Sequence, residues 1–371
     1  MALSKSILYH VPTELLREIV SSVDTAKTMA VLSRASRLFN AITTPILYRH
    51  IFLGSVESTL ECFDTLAKTP KRHDSIRSLR IVINASDPGA LRAYVPTDMI
   101  FPLEAGLRPL RQLQHLYLRI PDFSDEYLVI FATLVLPELR IFSTYHTGTF
   151  SPLLSSFLNH HPNLTHLELF RPFTTKGEPS ASQHLPLTHL PNLRVYRGCA
   201  AYAARLVVFH RGLGRADILD AQEETDLDLL LAALALATTA TTPFVLTFLC
   251  DGPQTALFVP LVKWLPQVRM LSVGPFMGPP RGLAAEAIQE IGDAMDHLTN
   301  LASFDFDNVV RPPGKPNPDR DDGAAEEADS PEADLAALTA WGERCSTLVT
   351  SRIHTRNWAR HSGAWVRLDH K

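Results

Sequence analysis

Cysteine is scarce in this chain of 371 residues. The four present, Cys62, Cys199, Cys250 and Cys345, lie far apart and form no Cys-x-x-Cys pair, which argues against a zinc site and against a disulfide framework. An excess of either charge is also missing. Lys and Arg number 35 against 39 Asp and Glu, and a net charge of -4 leaves no basic footprint for phosphates, so no nucleic-acid partner is expected. Long apolar runs are absent too. The longest aliphatic stretch, 227–237, contains Asp228 and is too short to cross a bilayer, and the first ten residues carry no apolar signal segment. These absences lead us to expect reduced thiols, no membrane partner and a cytoplasmic or nuclear location.

Catalytic signatures are equally hard to find. There is no Gly-x-Ser-x-Gly elbow, no His-Glu-x-x-His pair and no Gly-x-x-x-x-Gly-Lys-Ser/Thr loop. Gly212-Leu213-Gly214 lacks a third glycine and the segment 274–282 is interrupted by proline, so both read as turns. Among fifteen histidines the densest group is His160, His161 and His166, yet no neighbouring cysteine or acidic pair completes a tetrahedral metal site. The pairs Asp226/Asp228 and Asp305/Asp307 suit caps and solvated faces, since glycosidase chemistry needs a pocket around them. The expectation is a protein without catalysis, cofactor or metal.

What the chain does have is concentrated at the start. Val11-Pro12 opens a helix carrying Leu15, Leu16, Ile19 and Val20 at i, i+1, i+4, i+5, one stripe at a period of 3.6. Proline suits the first helical position, where its missing N–H is no loss. Asp24 is a candidate N-cap for a second helix through Met29 to Leu32, followed by Ser36-Arg37-Leu38-Phe39-Asn40 and Pro45-Ile46-Leu47-Tyr48. So small a unit buries too little surface to stand comfortably alone, and its spare apolar face should belong to another protein or domain. The alternative is a helical hairpin packed on the rest of the chain.

Val11-Pro12-Thr13-Glu14-Leu15-Leu16-Arg17-Glu18-Ile19, with Ser36-Arg37-Leu38-Phe39 and Leu47-Tyr48, resembles the F-box, a three-helix module. Val23-Asp24 departs from it, standing where the family usually has Leu-Pro. The resemblance implies docking onto the Skp-type adaptor of cullin-based ubiquitin ligases. It places Val11, Pro12, Leu15, Leu16, Ile19, Val20, Leu32 and Leu38 at the adaptor face, although some of them must instead fill the module's own core.

Beyond residue 75 one phrase returns: an apolar residue, two others, an apolar residue, one other, an apolar residue. Examples are Ile76/Leu79/Ile81, Leu113/Leu116/Leu118, Leu164/Leu167/Leu169, Val268/Leu271/Val273 and Leu301/Phe304/Phe306, with shorter copies at Leu139/Phe142 and Leu193/Tyr196. Leu113 to Leu139 is 26 residues, Leu139 to Leu164 is 25 and Leu164 to Leu193 is 29. Several copies follow a proline preface at Pro137, Pro162, Pro191 or Pro266. Such spacing fits leucine-rich repeats, in which short strands alternate with helices and stacked units share a core. Helices are expected over 56–66, 127–134, 152–158, 226–237, 255–264 and 283–295, with further strands at 216–219 and 242–249. The asparagine usual after the strand is missing, Pro121 and Pro172 standing in its place, so the turns must close their hydrogen bonds differently. An ordinary α/β domain is the competing reading.

The segment 311–331 is acidic and proline-rich, with no aromatic or branched aliphatic residue, and reads as a disordered loop. Ser330 reads as part of an inert linker. A last helix is expected over 335–341 and a last strand over 345–353, with Trp358 and Trp365 on a closing hairpin. The fold class expected is α/β, with an F-box-like helical module (1–53), an irregular leucine-rich-repeat solenoid (54–310), the loop (311–334) and a capped last repeat (335–371). The whole arrangement resembles the large F-box protein sets of mushroom-forming fungi. It implies a substrate-recruiting subunit that binds a Skp-type adaptor, through it a cullin, and a target protein. The outward strand positions His115, Tyr117, Arg119, His166, Glu168, Phe170, Met270 and Asp305 are candidates for target contact. A scaffold whose F-box engages no cullin is the alternative, and an enzyme on an α/β fold a distant third.

Overall fold

Seven of the repeats start from one kind of tight turn. The carbonyl of a buried residue accepts from the N–H three residues on: Leu110 from Leu113, Leu136 from Leu139, His161 from Leu164, Leu190 from Leu193, Leu265 from Val268, Leu298 from Leu301 and Cys345 from Leu348, at 3.0–3.2 Å. Proline occupies the second turn position in four of these, at Pro137, Pro162, Pro191 and Pro266, where its fixed φ already suits the turn. The chain then enters a strand, anchored by the preceding repeat. The Arg77 carbonyl, for example, accepts from both Gln114 and His115, and the Ala302 carbonyl from both Val349 and Thr350. Side chains add to this: Asn192 donates to the Pro162 carbonyl at 3.0 Å and Asn159 accepts from the His189 N–H at 2.8 Å. The backbone thus finds partners from repeat to repeat.

The structure, a computed structural model, describes residues 11–23, 25–83, 99–120, 125–145, 152–170, 189–206, 212–221, 226–239, 242–250, 254–275, 285–306, 330–353 and 356–368. Asp24, Pro121, Pro172, Asp307, the segment 311–329, and most of the segment 274–282 lie outside them. Contacts divide the chain into two units, Met1–Gly148 and Thr149–Lys371, rather than at residue 53.

In the first unit, helices α1 (Thr13–Ser21), α2 (Ala26–Ala35) and α3 (Arg37–Leu47) lead into β1 (His50–Leu53). Strand β1 was not expected from the repeat phrase; it pairs in parallel with β2 (Ser78–Val82), which continues to β3 (His115–Arg119) and β4 (Ile141–Tyr145). Helices α4 (Val56–Lys68), α5 (Ile100–Leu107) and α6 (Asp125–Thr133) lie between the strands in sequence. Pro12 is the N-cap of α1 and not its first helical residue, and Thr25, not Asp24, caps α2 by accepting from the Thr28 N–H at 3.1 Å. The cap of α3 is Ser36, which accepts from Phe39.

In the second unit seven strands run parallel in chain order: β5 (His166–Phe170), β6 (Val195–Cys199), β7 (Arg215–Ala221), β8 (Phe244–Cys250), β9 (Val268–Pro275), β10 (Ser303–Phe306) and β11 (Thr350–Ile353). Helices α7 (Pro152–Asn159), α8 (Ala200–Leu206), α9 (Leu227–Ala237), α10 (Phe258–Trp264), α11 (Ala285–Met295) and α12 (Pro331–Arg344) alternate with them. Ser330 is the N-cap of α12, accepting from Ala333 at 3.0 Å, so this helix starts before residue 335. An antiparallel hairpin, β12 (Arg356–His361) and β13 (Ala364–Leu368), completes the ladder. It brings Trp358 and Trp365 into the core; Trp341 on α12 is also buried, and its indole N–H donates to the Ile288 carbonyl at 3.0 Å.

Within each unit, parallel strands in sequential order call for right-handed crossovers, which put the connecting helices on one face of the strands. Leu116, Leu118, Leu167, Leu169, Leu271, Val273, Phe304 and Phe306 point to that face and are buried, while their neighbours point away. Polar or small residues interrupt the inner row. Ser351, opposite Phe304, is buried and donates to the Phe304 carbonyl at 2.6 Å. Thr144, opposite Leu118, is buried, and among the described residues its hydroxyl has no hydrogen-bond partner. Gly198, opposite Leu169, has φ +156, and a Cβ there would lie 2.1 Å from the Leu169 carbonyl oxygen. Tyr196 beside it is fully buried and donates to the Cys199 carbonyl at 2.9 Å.

Candidate interaction faces

The apolar stripe of α1 splits in two. Leu16 and Val20 are buried with Ile42, and Val11, Leu38, Phe39 and Ile46 pack around them. Leu15 and Ile19, one position back on the helix, are 49% and 59% exposed, and Val31 on α2 is 61% exposed. Leu32 is half-buried and Pro12 exposed. The expected face therefore loses Leu16 and Val20 to the internal core, and Val31 is a further exposed apolar residue, on α2. Amphipathic spacing alone could not make that division, because Leu15, Leu16, Ile19 and Val20 share one stripe. Helix α2 buries no side chain fully, as its small residues Ala26 and Ala30 lead one to expect.

The strands present a second surface. In the first unit Phe52, Arg80, Tyr117 and Ser143 stand opposite one another across β1–β4. The Arg80 guanidinium lies over the Tyr117 ring at 4.6 Å and the Phe52 ring at 5.7 Å, and Arg119 lies over Tyr145 at 5.0 Å. Burial pushes the Tyr117 hydroxyl above the usual tyrosine pKa, as does its hydrogen bond to Tyr145, while the two arginines pull it back. Phe52 is exposed, Arg80 and Arg119 are exposed, and His115 is half-buried.

In the second unit the corresponding row reads Glu168, Arg197, Asp217, Thr247, Ser272, Asp305, Arg352 and Asn357. Charges of opposite sign are neighbours at its start, the arrangement that favours cross-strand pairing. Arg215 donates through Nε to both oxygens of Asp217 at 3.0 Å. Arg197 lies over Phe170 at 5.7 Å. Burial pushes the Asp305 carboxyl above its ordinary pKa, and Arg352 opposite it opposes that shift. The Ser272 hydroxyl and the Arg352 Nε on either side of Asp305 are buried, with no hydrogen-bond partner among the described residues. Met270 is 45% exposed. His166 bonds Thr165 at 2.9 Å.

All eight outward candidates thus stand on strands, and three of them, Tyr117, Glu168 and Asp305, share rows with Arg80, Arg197, Asp217 and Arg352, which are not among the candidates. Arg80 occupies the same place in its phrase as Tyr117, so the signal was present. Phe52 lies on a strand without the repeat phrase and offered none. Of the clustered histidines, His161 turns into the core and bonds the Phe157 carbonyl at 2.6 Å, with ring centroids 4.2 Å apart. Asp226 caps α9, accepting from Leu229, and Asp228 accepts from Lys263 and Trp264. Among the described residues no helix is long and apolar enough to cross a membrane. The comparisons with protein-family models and with curated proteins find no match for the chain.

Proposed function

We propose that the chain is a non-catalytic adaptor subunit of a Skp–cullin–F-box ubiquitin ligase. Helices α1–α3 act as the F-box and dock a Skp-type adaptor, and through it a cullin. The strand–helix array acts as an irregular leucine-rich-repeat solenoid that holds a target protein on its helix-free face. The chain then contributes effective concentration, bringing target and conjugating enzyme together, and supplies no reacting group. One observation carries this reading: Leu15, Ile19 and Val31 stay exposed although Leu16, Val20 and Ile42 already close the helical core. That α2 buries no side chain fully favours a second reading, a scaffold whose helices engage no cullin complex.

Co-purification with a Skp-type adaptor separates them. The wild-type chain should retain the adaptor, and Leu15→Asp with Ile19→Asp should lose it while the melting temperature stays unchanged. Failure of the wild type to retain it would favour the scaffold. Retention by the double variant would refute the α1 face.

A further inference from the structure

The first unit's strand face differs in charge from the second's. None of β1–β4 contains an Asp or a Glu, whereas the second unit's row carries Glu168, Asp217 and Asp305. Arg80 and Arg119 both project from the first face, and among the described residues neither guanidinium has a carboxylate partner or a hydrogen bond. Their guanidinium planes are held instead over Tyr117 and Tyr145. A ring beneath a guanidinium leaves its N–H edges open to an oxyanion and fixes its orientation, so little freedom is lost on binding.

We infer that this face binds an extended, anionic segment of a protein, with one oxyanion at each arginine. Spacing supports the match. Arg80 stands opposite Tyr117, which sets Arg119 one strand across and two residues along. That diagonal is roughly 7–8 Å, and side chains on one side of an extended peptide recur about every 7 Å. Consecutive same-side acidic residues therefore meet one guanidinium each. Phe52, 64% exposed, and Tyr117 offer apolar surface for the intervening side chains. Carboxylate and phosphate share the recognising chemistry, a planar or branched oxyanion accepting paired N–H donors. A nucleic acid fits less well, because two arginines in a chain of net charge -4 neutralise few phosphates. The inference rests on the helix-free face being the target surface and is independent of adaptor docking.

The test is fluorescence anisotropy on the full chain with four labelled probes. These are a short peptide alternating glutamate and serine, its phosphoserine counterpart, its lysine counterpart and a short oligouridylate. The glutamate or the phosphoserine peptide should bind, more weakly as salt rises, and the tighter of the two identifies the natural oxyanion. Arg80→Glu with Arg119→Glu should weaken binding by at least about tenfold, and Lys68→Glu on the exposed side of α4, away from the strand face, should leave it unchanged. Should the charge reversal lower the melting temperature, Arg80→Gln with Arg119→Gln tests the same charges while keeping the stems. Equal binding of the lysine peptide, indifference to both double variants, preference for oligouridylate, or no binding of any probe would each overturn the inference. Adaptor co-purification by the same variants reports separately on the F-box reading.

Discussion

His161 occupies a turn position that other repeats fill with Leu110, Leu136, Leu190, Leu265 and Leu298, and it is as deeply buried as they are. Desolvation lowers its pKa to about 4, and the neighbouring His160 adds to that, while the bond to the Phe157 carbonyl opposes it. An unfolded histidine titrates near 6.5. Between those values the unfolded chain binds the extra proton, so stability is fully present above about pH 6.5 and falls as the pH drops towards 4. The loss from this group amounts to roughly 3 kcal/mol. Urea midpoints measured across that window should drop more for the wild type than for His161→Leu; parallel curves would refute the assignment. The histidine pair itself was visible in the sequence, but its burial was not. His161-Pro162-Asn163 reads as a polar preface until the leucines at the same turn are seen to point inward.

Elements were legible where their pattern was periodic. Helices α4, α6, α7, α9, α10 and α11 fall within a few residues of their expected spans, since each carries an apolar face between turn signals. Helix α5 has no readable face because Ile100–Leu107 contains Pro102 and Gly106 and, Glu104 apart, only apolar residues, and α8 has none because Ala200–Leu206 is short and alanine-rich. The end of the array was anticipated from Trp358 and Trp365 alone. What fastens it was not: Arg356 on β12 reaches back 22 residues to Asp334 on α12 with a 2.7 Å ion pair, and Asp334 is 2% exposed. Removing the cation leaves a buried carboxylate, at a cost of about 3–5 kcal/mol. Arg356→Leu should therefore lower the unfolding free energy in urea by that order, and pairing it with Asp334→Leu should restore much of the loss. A double variant no better than the single one would show that the pair does not hold the hairpin in this way.

At the scale of the whole molecule the sequence carried the alternation of strand and helix, the parallel order and the outward rows, because all three follow from spacing. It could not divide Leu15 and Ile19 from Leu16 and Val20, because the direction from which α3 packs decides that. Nor could it show that the first unit's strand face lacks carboxylates, since β1 carries no repeat phrase. Three surfaces of different character result: exposed apolar residues on α1 and α2, an arginine–aromatic face on β1–β4, and a mixed-charge row on β5–β12. The proposed adaptor assigns the first to recruitment and the other two to the target. Amide hydrogen exchange of the full chain, with and without a purified Skp-type adaptor, tests this division most directly. Slowed exchange confined to α1 and α2, with the strands at 115–119 and 166–170 unaffected, is the expected result. Protection of those strands alone, or none anywhere, would contradict it.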